Sequence, residues 1–295
     1  MTRLRELLAV DPGSFRLDKT DPRGTPGLPD TKAVRKDPKA WARAEVTTIG
    51  TELAAYQEKL FAAAKRGRTA ERVLLLLQAM DCGGKDGTVR GVFAGMNPTG
   101  IKAVSFGPPT DEEKQHDFLW RIDRALPPAG HVGVFNRSHY EDVLVVRVHN
   151  LVPEDIWSQR YDQINQFEAV QAEAGLTLVK VMLHISPDEQ RQRLLDRLDD
   201  PAKHWKYNPG DVDERAKWAD YQEAYQAALT RCSTPENPWF VVPADRKWYR
   251  NWAVATLLRD AMASIDPGYP PAEFDVEAER QRLLPAASTS DSHGS

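Results

Sequence analysis

The stretch Val73-Leu74-Leu75-Leu76-Leu77-Gln78-Ala79-Met80-Asp81-Cys82-Gly83-Gly84-Lys85-Asp86-Gly87-Thr88 runs from apolar residues through a glycine-rich turn into a charged segment. Val73 to Gln78 predicts a short buried strand, and Lys85 to Ala94 a helix. Gly83, Gly84 and Gly87 lie at the junction, where backbone N–H groups can turn toward a bound anion. A helix starting near Lys85 adds the positive end of its dipole. Lys85 supplies a mobile positive charge of the kind that accompanies a phosphoryl group in transfer. Asp81, at the end of the strand, is placed either to hold Mg²⁺ or to orient an acceptor. The match to the phosphate-binding loop Gly-x-x-x-x-Gly-Lys-Ser/Thr is incomplete. Ala79 stands where its first glycine belongs, and Asp86 where its metal-binding hydroxyl belongs. A glycine-rich turn with a solvated lysine is the alternative, and the position between buried strand and helix argues against it.

Outward from this junction, helical and extended patterns alternate. Val46, Ile49, Leu53, Tyr56 and Leu60 recur at helical spacing, so Trp41 to Lys65 is expected to be one amphipathic helix. Strands are expected at Lys102–Phe106, His131–Phe135, Leu176–Ile185 and Trp239–Val242. Helices are expected at Glu154–Ala174, Asp188–Leu198, Asp213–Leu229 and Trp248–Ser264. Thr110, followed by Asp111, Glu112 and Glu113, reads as the N-cap of a further helix carrying Phe118, Ile122 and Leu126. Strict alternation implies a parallel sheet covered on both faces, with ligands at the carboxyl ends of its strands. Residues 1–40 hold five prolines and little periodicity and are expected to form a surface arm outside the core. Residues 276–295 end in Ser-Thr-Ser-Asp-Ser-His-Gly-Ser and are expected to be disordered. The domain proper is placed at 41–275.

Two further segments fall where ligand chemistry is expected. The third strand leads into Asn136-Arg137-Ser138-His139-Tyr140-Glu141-Asp142. Phosphate-loop enzymes carry a metal-ordering Asp at this strand end, and Asn136 cannot supply that charge. Glu141 or Asp142, a turn later, can compensate. The planar fork of Arg137 suits phosphate oxygens. An ordinary ion pair of Arg137 with Glu141 is the alternative. After the fourth strand, Arg193, Arg197 and Lys203 are interleaved with Asp196, Asp199 and Asp200. By composition this is a solvated helix of mixed charge. By position it is a lid, at about 191–212, that folds over phosphates.

The formal net charge is −4, so a polyanion must be met by a local cluster of cations rather than by a global field. The two cysteines make neither a disulfide framework nor a metal site. The apolar run Val73–Leu77 is far too short to span a bilayer. These features predict a cytoplasmic enzyme with no membrane and no nucleic-acid partner.

Leu74 to Thr88, Phe135 to Val143, His184-Ile185-Ser186-Pro187, His204-Trp205-Lys206-Tyr207-Asn208-Pro209-Gly210-Asp211 and Val242 to Tyr249 together resemble polyphosphate kinase family 2. The resemblance spans about Trp41 to Asp275. It implies a thymidylate-kinase-like P-loop kinase fold, a three-layer α/β/α arrangement with a parallel sheet and a helical lid. It also implies Mg²⁺ dependence and reversible phosphoryl transfer between inorganic polyphosphate and adenine nucleotides. Asp81, Lys85 and Arg137 take the catalytic positions, with Asp81 also the metal ligand. Gly83, Gly84, Lys85, Asp86, Gly87 and Thr88 would bind phosphate, with Arg193, Arg197 and Lys203 tracking the polyphosphate chain. Asn136, Arg137 and Glu141 would face the nucleotide. Asn136, where much of the family has Asp, is similar to the subgroup called class III, described as phosphorylating nucleoside mono- and diphosphates. AMP is therefore expected to pass through ADP to ATP, in a homo-oligomeric enzyme. The rivals are an ATP-dependent nucleoside monophosphate kinase of the same fold and a non-catalytic polyphosphate- or nucleic-acid-binding protein.

Overall fold

A computed structural model describes residues 3–284. Its principal elements in chain order, leaving out short turns, are α1 (Arg3–Leu8), α2 (Pro38–Lys65), β1 (Arg72–Gln78), α3 (Lys85–Val92), β2 (Ile101–Ser105), α4 (Trp120–Ala125) and β3 (Val132–Asn136). They continue with α5 (Arg160–Glu173), β4 (Leu176–His184), α6 (Pro187–Leu198), α7 (Gly210–Ala216), α8 (Trp218–Arg231), β5 (Trp239–Pro243), α9 (Lys247–Ile265) and α10 (Val276–Leu283). The five strands form one sheet in the order β2-β3-β1-β4-β5, with every neighbouring pair parallel.

β1 is the central strand and is buried at every position after Arg72. Its near-continuous leucine run suits a strand covered on both faces. The chain leaves β1 for the β2–β3 side and later returns to β4 on the other side. The carboxyl end of β1 is thus a switch point, where ligands of open α/β sheets sit. The register pairs Leu77 with Asn136, which brings the end of β3 beside the loop that follows β1.

The N-terminal segment departs from the expected surface arm. Leu4, Leu8, Val10 and Leu17 are buried in the main core. Val10 N–H donates to Trp239 O at 2.9 Å, and Ala9 bridges Phe240 in antiparallel fashion. The segment covers the open edge of β5, whose unpaired backbone groups need partners. Tyr249 Oη donates to Pro26 O and Asp245 N–H to Pro22 O, fastening the prolines to the start of α9. Leu4 and Leu8 lie four apart on the short α1, but Val10 and Leu17 follow beyond it on chain punctuated by prolines from Pro12 onward, so the anchors form no periodic run long enough to mark a core element.

Three expected helices are broken. Thr110 and Glu113 do cap each other reciprocally, at 2.8 and 3.2 Å, but the turn they start is short. Asp117 then accepts from Leu119 N–H, a local bond that competes with a continuous helix. The segment expected as Glu154–Ala174 is Glu154–Trp157 followed by α5, and that expected as Asp213–Leu229 is α7 followed by α8. Of the tail, Val276–Leu283 is a helix capped by Asp275 rather than disordered chain. Residues 285–295 lie outside the described residues.

Candidate active site

The loop after β1 turns sharply enough to force unusual backbone. Cys82 has φ 61° and Gly84 φ 102°, and Arg137 beside them at the end of β3 has φ 64°. Left-handed backbone at non-glycine residues is costly and gathers at functional sites. At Gly84 a Cβ would lie 1.8 Å from Nη1 of Arg250, so this position needs glycine for space as well as for conformation.

Around the loop opens a cavity of about 800 Å³. Nine cationic residues line it, against four acidic ones, in a chain whose net charge is −4. The cations are Lys85, Arg90, Arg137, Arg193, Arg197, Lys203, Lys206, Lys247 and Arg250; the acids are Asp81, Asp86, Asp196 and Asp211. This is the local cluster that a polyanion requires of an acidic protein.

Lys85 is half-buried, and its Nζ donates to Ala79 O at 2.9 Å. Burial pulls its pKa below the ordinary lysine value, against the opposing charge of Asp81. Asp81 accepts from Arg137 Nη2 at 3.2 Å. Burial disfavours the Arg137 charge, but Glu141 and Asp81 offset it and the pKa is raised. Glu141 lies in a smaller adjoining chamber of about 200 Å³, which also borders Asp81, Arg137 and Asp211. Burial pushes the Glu141 carboxyl up, with Arg137 and Lys85 opposing. Asp211 is also raised, by burial and then by Asp81. The two chambers meet at Asp81, Arg137, Asn208 and Asp211, with the Asp81–Arg137 pair between them.

Asp86 is engaged on both oxygens. Asn136 Nδ2 donates to Oδ1 at 2.7 Å, and Lys206 Nζ, from the lid, is 3.5 Å from Oδ2. Arg197 donates to Lys206 O at 2.8 Å and to Asp211 at 3.3 Å, which ties α6 to the lid segment beyond it. Lys203 pairs with Asp200 at the exposed rim.

Two expected phosphate contacts are not available. Thr88 is fully buried, and both its N–H and its Oγ1 donate to Gly84 O, so the hydroxyl serves its own helix. Arg193 is 7% exposed and its donors are spent on protein. Nε donates to Glu189, Nη1 to the Cys82 and Gly83 carbonyls, and Nη2 to the Ala244 and Asp245 carbonyls. It clamps the phosphate loop to the β5–α9 turn. Its spacing from Arg197 on α6 holds, but Arg193 points inward.

Arg250 went unnoticed in the sequence. It is 3% exposed, and Nε and Nη2 donate to Asn251 Oδ1 at 3.1 and 2.9 Å. It makes no ion pair among the described residues. Burial, together with the charge of Arg193, lowers its pKa to about 10. A lone arginine among the buried Tyr249, Trp252, Ala253 and Val254 of α9 was the available signal, because arginine is almost never fully buried unpaired. Arg90 and Lys247 line the same cavity without ion-pair partners among the described residues.

Among the described residues no three His, Cys, Asp or Glu side chains are arranged to hold a metal by themselves. Mg²⁺ is ordinarily held by one or two carboxylates plus substrate phosphates. Asp81, with Asp211 and Glu141 near it, fits that mode and not an all-protein cage.

The family model described as Polyphosphate kinase 2 matches residues 37–268. The chain is 46% identical over 265 residues to the AMP/ADP-polyphosphate phosphotransferase of Meiothermus ruber, covering 90% of this chain and 95% of that one. It is 43% identical over 224 residues to the ADP-polyphosphate phosphotransferase of Rhodopseudomonas palustris, covering 72% and 76%. The crystal structure of Polyphosphate Kinase 2 from Arthrobacter aurescens TC1 superposes with a TM-score of 0.90 at 48% identity, covering 96% of each chain.

Proposed function

The chain belongs to the polyphosphate kinase 2 family, and from that premise we propose that it moves phosphoryl groups from inorganic polyphosphate to AMP and then to ADP, with Mg²⁺ as its metal. It is a polyphosphate-dependent nucleotide kinase of P-loop α/β fold.

One observation carries the placement of the donor. Arg250 is a buried guanidinium without a carboxylate partner among the described residues, facing the cavity over the phosphate loop. An uncompensated buried charge costs several kcal/mol. An anionic substrate supplies the missing partner.

In this account the reacting end of polyphosphate lies on the phosphate loop. Lys85 and Arg250 balance charge on the oxygens of the phosphoryl group in transfer. The acceptor phosphate of the nucleotide approaches from the smaller chamber, where Arg137 orients it and Asp81 fixes Arg137. Glu141 sets the field around Arg137. Mg²⁺, when bound, neutralises phosphate oxygens, and Asp81 is the residue that would hold it. Phosphoryl transfer asks the protein for alignment and charge balance rather than for a covalent intermediate, so no phosphohistidine is needed. Arg197, Lys203 and Lys206 on the lid cover the chain.

The test is a time course with AMP, Mg²⁺ and polyphosphate in excess, free of adenylate kinase, with AMP, ADP and ATP separated. ADP should rise and then give way to ATP. A course that stops at ADP rejects the double acceptor range. Turnover only when ATP replaces polyphosphate rejects the donor. The same reading includes a homo-oligomeric, cytoplasmic enzyme with no nucleic-acid partner, and sedimentation of the purified chain checks the first of these. Among the described residues no helix is long and apolar enough to cross a membrane.

A further inference from the structure

A second groove, of about 410 Å³, lies beside the main cavity, and Lys247 lines both. One wall is the start of α2, with Lys39 and Arg43; the other is the start of α9, with Arg246, Lys247, Trp248 and Asn251. Lys39 and Arg43 are four residues apart and share a helix face. Both are exposed, and neither makes an ion pair among the described residues; the same is true of Lys247. Some exposed cations elsewhere are paired, as Arg35 with Asp30, Arg191 with Asp188 and Lys203 with Asp200, and others, such as Lys32 and Lys65, are not; Lys39, Arg43 and Lys247 stand apart because they line one groove that adjoins the main cavity.

One acid, Asp245, lines the groove, and it forms no ion pair with the groove's cations among the described residues. Its two oxygens accept from Ser186 N–H and Ser186 Oγ, each at 2.9 Å, and it is buried. Arg250, in the main cavity, is bonded to Asn251, in the groove, so the two spaces meet along one turn of α9. The cationic lining that starts at Lys85 thus continues past Arg250 and Lys247 to Arg43 and Lys39.

We propose that this groove is a distal subsite for a linear polyphosphate chain whose reacting end lies at Lys85. The proposal rests on the polyphosphate reading above. A linear polyanion repeats its charge at short intervals, and a row of unpaired cations leading out of the transfer site matches it. A short oligophosphate occupies only the main cavity. A long chain also reaches Lys39 and Arg43, so the groove sets the preference for chain length. Single-stranded nucleic acid is the competing polyanion. The continuity with the phosphate loop and the single aromatic lining residue, Trp248, favour polyphosphate, because nucleic acid is gripped by several stacking side chains.

The experiment compares long-chain polyphosphate with linear hexaphosphate, the latter as donor, or as competitive inhibitor where its turnover is too slow. The double variant Lys39→Ala/Arg43→Ala should raise the KM for the long chain roughly tenfold, the effect of two modest ionic contacts. It should leave kcat unchanged and hexaphosphate within about twofold of the parent, since two exposed contacts remote from transfer are removed. The salt dependence of the long-chain KM should flatten, because fewer counterions are released. Arg43→Lys, which keeps the charge, should behave as the parent. Equal effects on both lengths, or none on either, overturn the proposal. So does an oligonucleotide that blocks long-chain use in the parent and fails to bind the double variant, which would make the groove a nucleic-acid surface. A parent chain that uses no polyphosphate at all rejects the functional reading, an outcome distinct from an active enzyme with no distal subsite.

Discussion

Arg193→Ala separates two accounts of α6. If Arg193 contacted polyphosphate, its loss would raise the polyphosphate KM in a salt-dependent way and leave the fold intact. The structure instead gives its guanidinium to five protein acceptors: Glu189 Oε1 at 2.7 Å, Cys82 O at 2.9 Å, Gly83 O at 3.1 Å, Ala244 O at 2.6 Å and Asp245 O at 3.2 Å. Glu189 is partly exposed and water can replace the arginine there, but the clamp between the phosphate loop and the β5–α9 turn is lost. Removing one partner from a buried, charge-assisted network costs about 3–5 kcal/mol. At about 2 °C per kcal/mol for a domain of this size, the melting temperature should fall by roughly 6–10 °C. Arg193→Lys should recover part of it, since one ammonium cannot reach both backbone segments. Calorimetry on the purified variants, paired with polyphosphate and nucleotide titrations, reads both effects. A variant that melts with the parent and shows only a raised, salt-sensitive polyphosphate KM would refute the clamp and return Arg193 to the substrate.

Gly84→Ala should lower turnover at least about 100-fold, the scale of losing one preorganised charge at a transfer site, because its Cβ displaces the Arg250 guanidinium from 1.8 Å away; turnover near the parent's would show that Arg250 has no such role. Asp142, bonded to Arg160 at 2.9 Å, has its carboxyl pushed up to about 6 by burial, with Arg160 opposing. A folded value above the ordinary one means the native state holds the proton more tightly, so this contribution is complete below about pH 3.8 and is lost as pH rises through about 6, a change of order 3 kcal/mol. Urea melts of Asp142→Asn should show that slope flattened, and an unchanged slope across pH 4–7 removes Asp142 as its source. Asn136→Asp sets a second carboxylate against Asp86, where the amide now donates at 2.7 Å, and should reduce use of both AMP and ADP; a gain in either acceptor contradicts this.

What could be read from the sequence was what local chemistry decides. The leucine run of β1, the glycines after it and the strand-end Arg137 announce themselves because each depends on neighbours within a few residues. The alternation of elements, and hence the parallel sheet, follows from apolar period in the same way. The rest depends on residues far apart in the chain. Arg250, from α9, completes the phosphate loop more than 160 positions after Gly84. Arg193 looks like any helix-surface arginine until the fold turns it toward the Cys82 and Gly83 carbonyls. Leu4, Leu8, Val10 and Leu17 find their partners on β5 and α8, and the one helical pair among them, Leu4 and Leu8, is too short a run to mark the segment as core.

The pair Asn136–Asp86 changes the explanation of acceptor range. Read along the chain, Asp86 after the lysine and Asn136 at the strand end are two separate departures, the second a lost negative charge. In the fold they are one exchange: the register of β1 with β3 sets the strand end beside the phosphate loop, and the Asn136 amide holds the Asp86 carboxylate at 2.7 Å. The site does hold an anion, Asp86, on the first turn of α3, where the helix dipole favours it. The acceptor range expected of this chain therefore cannot be ascribed to a missing anion at Asn136. What differs is attachment. A carboxylate on the strand end is fixed to the sheet, whereas Asp86 hangs between a strand-end amide and Lys206 of the lid. We infer that any effect of Asn136 on acceptor range acts through this pairing with Asp86 and, through Asp86, with Lys206 of the lid, and not through a missing anion.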